Sequence, residues 1–346
     1  MAIGWGIIST GNHPDRKVVP AMNIADDTDV VAAYSRDMGR AQAFAQKHGI
    51  ANAYDSLDDI LADPVVDAVF ISSPNFVHVS QTIAAAEAGK HVLVEKPMAV
   101  SVEEAADMVR ACRDNGVKLG VGFQLRFHPG HQQARQLIED GVLGTLSMIQ
   151  GQWCLGGRGA VNPPARTGLN AWWGIPEMIG DASTLMGTGV HVMDLLQSLV
   201  AQPIVEVAAL TDGQTPNNPL EQSAVVSIRF GDGTLGSIVC GRRMPDTEND
   251  AMIYGSDGRI ALRGTIGEAM GGSFDVVSET VSASESYEDD PLMLYKGQTE
   301  AFNRAIQNDE PFHASGEDGL SVVEVTSAII ESARTGRAVK VERASQ

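Results

Sequence analysis

A lysine placed directly before a proline stands out as a residue whose setting suggests chemistry. Lys96 precedes Pro97 and follows the apolar run His91–Val94. Proline pushes its predecessor out of the helical region, so Lys96 is expected in extended backbone just past a strand's carboxyl end. Open parallel sheets bind ligands along that edge. A lysine desolvated there can lose its proton near neutral pH, or keep it and polarise a carbonyl. The second candidate is the loop Ser9-Thr10-Gly11-Asn12-His13-Pro14. A dinucleotide fingerprint has glycines where Ser9, Gly11 and Pro14 stand, and only the middle one, which lets backbone approach a pyrophosphate, is kept. Ser9, Thr10 and Asn12 still bring donors, and a helix opening at Pro14 turns its N–H groups toward a phosphate. An ordinary polar turn is the competing reading. The third candidate is Tyr34-Ser35-Arg36-Asp37, with Arg40 a turn later. An NAD-selective site carries Asp or Glu here for the ribose hydroxyls. Ser35 and Arg36 instead suit a 2′-phosphate, which a guanidinium can grip in bidentate fashion. The plain alternative is that Arg36 and Arg40 are solvent-facing. NADP is the cofactor expected, with NAD open.

These residues must be positioned by a scaffold, and the first 120 or so residues supply one by alternating apolar runs with helical periods. Strands are predicted over Ile3–Ser9, Asp29–Tyr34, Asp67–Ser72, His91–Val94 and Val117–Gly122. Helices are predicted over Pro14–Ile24, Gly39–His48, Ser56–Leu61, Val77–Ala88 and Ser101–Asn115, with Gly89 suited to a left-handed cap. Continuous apolar strands between helices mean a parallel sheet covered on both faces, a doubly wound α/β domain over 1–122. After Phe123 the pattern changes. One helix, His128–Glu139, leads into two-periodic stretches: Leu146–Cys154, Ile204–Leu210, Ser223–Phe230, Leu235–Cys240 and Ala251–Tyr254. Phe230-Gly231-Asp232-Gly233-Thr234 reads as a hairpin turn. Helices Tyr295–Asn308 and Asp318–Thr335 follow, the last with Val322, Val325, Ile329 and Ala333 on one face and Gly336 at its end. Residues 123–346 are therefore expected to form an α+β domain with a large, mainly antiparallel sheet. Between Arg263 and Lys296 stand seven acidic residues and no Lys or Arg, read as a solvated rim or loop.

Composition narrows the function classes. Forty-four acidic against 25 basic residues give a net charge of −19, which repels phosphate backbones and anionic lipid. Any bound anion must be held by a few locally placed donors. Cys112, Cys154 and Cys240 lack ligand spacing, so no metal site and no disulfide framework is expected. The opening MAIGWGIIST lacks a basic n-region and a cleavage site, and no apolar run approaches the ~20 residues of a membrane span. A soluble, cytoplasmic protein without nucleic-acid or membrane partners is the expectation.

The segment Ala86-Glu87-Ala88-Gly89-Lys90-His91-Val92-Leu93-Val94-Glu95-Lys96-Pro97 closely resembles the AGKHVLxEKP signature of the glucose–fructose oxidoreductase / inositol dehydrogenase / rhizopine catabolism (Gfo/Idh/MocA) family. Ser72-Ser73-Pro74-Asn75 with His78 is similar to that family's fourth-strand loop, and Gly122 through Pro129, with Arg126 and His128, to its passage into the second domain. Ala301-Phe302, Ser315-Gly316-Glu317-Asp318-Gly319 and Ser332-Ala333-Arg334-Thr335-Gly336 also fit. The match is weakest between about Leu155 and Ile179. The resemblance implies a Rossmann domain, a nicotinamide cofactor contacted by Ser9, Thr10, Gly11, Asn12, His13, Ser35, Arg36, Arg40, Ser72, Ser73, Pro74, Asn75, His78, Glu95 and Lys96, and a cis Lys96–Pro97 bond.

In its second domain the family commonly shows D-x-G-x-H, and this chain reads Gly187-Thr188-Gly189-Val190-His191. His191 and Gly189 match, and the aspartate position is Gly187. That removes a hydroxyl acceptor and a charge that would hold a lysine or imidazole protonated. His191 can still act as acid or base; Asp194 at i+3 could orient it, or Asp181 could supply the carboxylate. A helix-capping or core histidine is the alternative for His191. Arg126, His128, Trp173 and Asp194 are candidate substrate residues. Arg158, Arg166, Asn170 and the pair Trp172-Trp173 sit in a segment able to lid a sugar, although Trp equally anchors domain interfaces. Asp290 resembles a position near the nicotinamide in the sugar-reductase branch. The expected activity is NADP-dependent hydride transfer to or from a carbonyl or secondary alcohol of a sugar, polyol or related molecule, with Lys96 as acid/base assisted by His191. Carbonyl reduction is favoured by the likeness of the Ser9–Thr10 and Ser35–Arg36 segments to anhydrofructose reductases and dihydrodiol dehydrogenases. A homodimer or homotetramer is implied. A non-catalytic dinucleotide-binding sensor is the competing class, and Gly187 is a feature such a protein could carry.

Overall fold

The computed structural model describes residues 2–157 and 167–344, and the chain divides into two compact units. The first comprises Met1–Ala99, Glu103–Gln124 and Pro291–Leu320. Its six strands are β1 (Ile3–Ile8), β2 (Thr28–Tyr34), β3 (Asn52–Tyr54), β4 (Ala68–Ile71), β5 (His91–Val94) and β6 (Leu119–Val121). All pair in parallel, in the order β3-β2-β1-β4-β5-β6. This is the doubly wound sheet expected, with a chain reversal between β1 and β4. β3 is one strand more than the sequence suggests, because three half-buried residues leave no apolar run to read. Helix α1 (Val19–Met22) is entered through a π-helical turn over Pro14–Val18, where proline's missing N–H is harmless. α2 (Met38–His48) is capped by Asp37, whose carboxylate accepts from the Arg40 N–H, and α3 (Leu57–Ala62) by the Ser56 hydroxyl. α4 (His78–Glu87) and α5 (Val102–Asp114) complete the series, with Gly89 at φ 71° just past α4.

α9 (Met293–Asn308) and the start of α10 (Gly316–Thr335) pack in this first unit, although their sequence pattern groups them with the second half. The tie is specific. The Trp5 indole N–H donates to Asn303 Oδ1 at 3.1 Å, and the Asn303 amide donates to the Asp26 and Asp27 carbonyls and to Thr28 Oγ1. Phe302 packs its ring against Trp5 and Phe312, so the strand most buried in the sheet is closed over from the far end of the chain.

The second unit comprises Val100–Val102, Leu125–Asp290 and Ser321–Gln346. Its nine strands are β7 (Leu146–Cys154), β8 (Ile204–Thr211), β9 (Ser223–Phe230), β10 (Leu235–Gly241), β11 (Ala251–Gly255), β12 (Gly258–Arg263), β13 (Met270–Ser278), β14 (Ser282–Asp290) and β15 (Val339–Lys340). They are ordered β14-β13-β12-β11-β7-β10-β9-β8-β15, antiparallel except for the central pair β7 and β10. The hairpin over Phe230–Thr234 forms as read, with Gly233 at φ 96° and the Asp232 carboxylate accepting from Thr234. α6 (Pro129–Glu139), α7 (Pro176–Ile179), α8 (Val190–Val200) and the rest of α10 accompany the sheet. β9 shows how: Ala224, Val226, Ile228 and Phe230 are buried while Val225, Ser227 and Arg229 face outward. Each aliphatic side chain so buried contributes about 1.5–3 kcal/mol. The outer row also carries Leu210, Leu235, Met148 and Val277.

The acidic stretch before Lys296 corrects the loop expectation. It is largely the β13–β14 hairpin, with β14 as the exposed edge strand. A run of carboxylates on an edge discourages pairing with another sheet, so charge here coexists with regular structure. α8 also escapes the sequence pattern, because it is apolar nearly all round and carries no amphipathic signal. Among the described residues no helix is long and apolar enough to cross a membrane.

Candidate functional site

In the first unit the loops continue the sheet by one hydrogen bond beyond each strand. The N–H groups of Ser9, Ser35, Ser72, Glu95 and Gly122 donate to the last carbonyls of neighbouring strands, at Tyr34, Tyr54, Ile8, Ile71 and Val94. These five residues therefore stand in a row along the carboxyl edge, the ligand-binding edge of an open parallel sheet. Ser9 is held at φ 96°, a left-handed conformation unusual outside glycine. Gly11 is exposed, and a Cβ there would meet only Ser9 Oγ at 3.8 Å, so its bare backbone faces open space. Ser35 is buried beside the exposed Arg36. Arg40 Nε lies 4.0 Å from the Asp37 carboxylate, whereas Arg36 has no carboxylate partner among the described residues.

Lys96 sits in the middle of a tied-down segment. Its peptide bond to Pro97 is cis. Its N–H donates to Glu95 Oε2 at 3.3 Å. The buried His78 ring reaches the Pro97 carbonyl through Nδ1 at 3.0 Å and the Ser73 carbonyl through Nε2 at 2.9 Å, bridging the loops after β4 and β5. Burial pulls the His78 pKa below its ordinary value, which favours a neutral ring donating to one carbonyl at a time. His13 Nε2 lies 2.9 Å from Glu95 Oε1, and its ring packs edge-on against Tyr295 at 5.3 Å. Burial alone would raise the Glu95 pKa, but the neighbouring His13 and Lys96 hold it below the usual carboxylate range. Gly122 is required beside it, since a Cβ there would stand 2.9 Å from Glu95 Oε1.

This edge fits a dinucleotide. Asn75 is buried and its amide nitrogen has no hydrogen-bond partner among the described residues, a donor left over on the loop after β4. With the open backbone at Gly11 and with Arg36, it lies on loops of the carboxyl edge, where open parallel sheets bind dinucleotides. Thr10, Asn12, Ser72, Ser73 and Pro74 lie on the same loops. The Ser73 hydroxyl donates to Gln81 Oε1.

The second unit gathers a different set. α8 lies on the face of β7 and β10: Val192 and Leu196 would meet a Cβ at Gly151, His191 packs on Trp153 at 4.7 Å, and Gly189 approaches Cys240. Continuing one step, Arg242 meets Gly187, where a Cβ would stand 2.9 Å from Nη2. The Arg242 Cζ also lies 5.9 Å from the Trp173 ring centroid, and Trp172 and Trp173 stack at 4.5 Å. Sequence reasoning passed over Arg242 and Trp153. The signal was present, since period two along β10 places Ile238, Cys240 and the following Arg242 on one face.

Other candidates are engaged within the protein. The Arg126 Nε and Nη2 donate to both Asp194 oxygens at 2.6–3.1 Å, with the pair almost wholly buried. His128 caps α6, its Nδ1 accepting from the Gly130 N–H, and its Nε2 lies 2.9 Å from the Gly271 carbonyl. The Asp181 carboxylate pairs with Arg334 at 3.2 Å. Arg158 and Arg166 lie outside the described residues; Asn170 lies in a 3₁₀ turn over Gly168–Gly174, and Asp290 ends β14 opposite Met270. Among the described residues no cluster of three or more His, Cys, Asp or Glu could hold a metal ion.

Residues 3–123 match the model of an oxidoreductase family with an NAD-binding Rossmann fold, and residues 131–261 match the Gfo/Idh/MocA C-terminal domain. The chain is 28% identical to the 1,5-anhydro-D-fructose reductase of Ensifer adhaerens over 98% of each chain. It is also 28% identical to D-xylose 1-dehydrogenase (NADP(+)) 2 of Haloferax volcanii, over 98% of this chain and 99% of that one. Its fold resembles the crystal structure of aldose-aldose oxidoreductase from Caulobacter crescentus complexed with glycerol, with a TM-score of 0.86 and 24% identity, covering 98% of this chain and 100% of that one.

Proposed function

The chain belongs to the Gfo/Idh/MocA family of oxidoreductases, and from that premise we propose that it is an NADP-dependent sugar oxidoreductase working in the direction of carbonyl reduction. The observation that carries this reading is the fixed placement of Lys96 on the carboxyl edge of the parallel sheet, between His78-bridged loops and the ionised Glu95. Bound nicotinamide would supply the hydride. Lys96 would deliver the proton to the carbonyl oxygen, or take it from an alcohol, with His191 as the second acid/base candidate. Glu95 keeps a negative charge beside Lys96. Ser9, Thr10, Gly11, Asn12 and His13 would hold the pyrophosphate, Asn75 the nicotinamide end, and Ser35 with Arg36 and Arg40 the 2′-phosphate. The similarity to an anhydrofructose reductase and an NADP-dependent xylose dehydrogenase supports a sugar or related carbonyl compound as substrate. The outward row Leu210, Val225, Leu235 and Met148 supports assembly as a homodimer or homotetramer through the outer sheet face.

The test is NADPH oxidation against ketoses, aldoses, anhydro sugars and diketones, alongside NADPH and NADH binding by fluorescence. Lys96→Met should lower kcat by about 10²–10⁴-fold while NADPH still binds. Arg36→Asp should shift the NADPH/NADH affinity ratio toward NADH by at least about tenfold. Wild-type NADPH affinity should fall with salt more steeply than NADH affinity. Tight NADPH binding without turnover of any substrate would replace the enzyme by a non-catalytic sensor.

A further inference from the structure

We propose that the substrate carries a carboxylate, and that Arg242 binds it beside Gly187. The proposal deepens the oxidoreductase reading and rests on it for the identity of the reacting group.

Arg242 is an unusual cation. Its Nε is buried and without a hydrogen-bond partner, and its guanidinium makes no hydrogen bond or ion pair with any described residue. Burial lowers its pKa, with Glu221 as the charge that most opposes the shift. Yet Glu221 does not pair with it. The Glu221 oxygens accept from the Ser183 and Leu185 N–H groups and from Gln214 Nε2, all within 3.0 Å. A partly buried guanidinium with an orphaned donor pays a desolvation penalty that the distant Glu221 charge and the Trp173 ring offset only in part. An anionic ligand would offset the rest.

Position makes this a ligand question and not only a packing one. Gly187 stands one helical turn before His191, so the Nη2 that meets it faces the stretch that carries the candidate acid/base. A side chain at residue 187 would displace the flexible end of Arg242, so glycine lets the guanidinium lie against the backbone there. Trp173 supplies a flat wall at 5.9 Å. The sign of the local charge is therefore positive where an aspartate would make it negative. A guanidinium fork matches a carboxylate's two oxygens, and one fork balances one carboxylate charge better than a phosphate's near-double charge. Against a chain of net charge −19, this anion must be held locally, which one pre-placed arginine can do. The substrate class is a sugar acid: a uronate, an aldonate or a keto derivative of one.

The experiment compares matched pairs in the intact protein: glucuronate with glucose, galacturonate with galactose, and glucose 6-phosphate as a third arm. Turnover with both nicotinamide cofactors and binding by calorimetry are both measured. The expected result is kcat/KM at least about tenfold higher for the carboxylate of a pair, and that acid-to-neutral preference lost in Arg242→Met. The wild-type comparison needs no variant to fold. Neutral sugars used as well as the acids, or an unchanged preference in a folded Arg242→Met protein, would overturn the proposal and leave the oxidoreductase reading standing. Preference for the 6-phosphate over the carboxylates would overturn the carboxylate assignment. Binding of uronate that Arg242→Met abolishes, with no cofactor turnover, would uphold the anion site and overturn the oxidoreductase reading. No binding of any sugar acid would overturn the anion site.

Discussion

Asp194 offers the sharpest separation of a structural from a substrate-binding role. The Arg126 side chain is 6% exposed and the Asp194 side chain 0%, joined by contacts of 2.6, 2.9 and 3.1 Å. Truncating Asp194 to alanine takes from the Arg126 guanidinium a carboxylate it meets with both oxygens, in a place water barely reaches. Breaking one half of such a buried pair costs about 3–5 kcal/mol. Replacing both members by methionine removes the charge together with its partner, and such swaps in other proteins range from neutral to stabilising. The double variant should therefore unfold within about 1–2 kcal/mol of wild type, a coupling that single-site additivity forbids. Calorimetric and urea unfolding of wild type, Asp194→Ala, Arg126→Met and the double variant close the cycle. A second readout uses position: Asp194 is three residues after His191 on α8, so kcat/KM for the best substrate reports whether the pair only supports the helix. Recovery of both stability and kcat/KM in the double variant is expected. If Asp194→Ala cost less than about 1 kcal/mol, or if the double variant were stable but inactive, the structural assignment would be wrong.

Two further outcomes follow from buried polar groups. His131 is fully buried between the Leu125 carbonyl and Thr265 Oγ1, and burial, reinforced by His128, takes its pKa from 6.5 to about 3. Because the folded value is depressed, the unfolded chain takes up the proton first; this stability is complete above about pH 6.5 and is lost as pH falls toward 3. Urea unfolding between pH 6.5 and 4.5 should lose stability with a contribution from His131 that approaches about 1.4 kcal/mol per pH unit, and His131→Gln should flatten the slope by up to that amount; an unchanged slope refutes it. Asn303→Leu removes the acceptor of the Trp5 indole N–H, which is 0% exposed, and should destabilise the protein by about 1–3 kcal/mol. Trp5→Phe in the same chain should recover part of that loss, as measured by thermal unfolding.

What could be read from the residues alone was whatever local periodicity or a strand end exposes. β7 and β9 were readable to the residue, because alternating inward side chains mark a half-buried strand. The Lys96 segment was readable because proline dictates its neighbour's backbone. β3 and α8 were not, the one too short and half-buried, the other buried on every side. β14 was hidden by its charge, which serves an edge strand as readily as a loop. Nor could any local pattern reveal that α9 packs on β1, because the Asn303–Trp5 bond spans almost the whole chain.

The same limit of locality explains the most informative residue of the second unit. Gly187 alone reads as a loss: a carboxylate position emptied, and with it an acceptor for a substrate hydroxyl. Arg242 alone reads as one of many cations after a strand. Only the pairing of β10 with β7, which carries Trp153 beneath His191 and Arg242 beside Gly187, makes the two a single substitution. A deleted acid would leave a neutral gap able to take water or a hydroxyl. A deleted acid with a guanidinium 2.9 Å from the vacated Cβ position reverses the field there. Restoring the acid by Gly187→Asp would then displace the flexible end of Arg242 and supply its missing counter-ion at once. That variant should lose sugar-acid turnover while gaining, relative to it, on neutral sugars. If Arg242 took no part in binding the substrate's charge, Gly187→Asp would instead leave the acid-to-neutral ratio where it was.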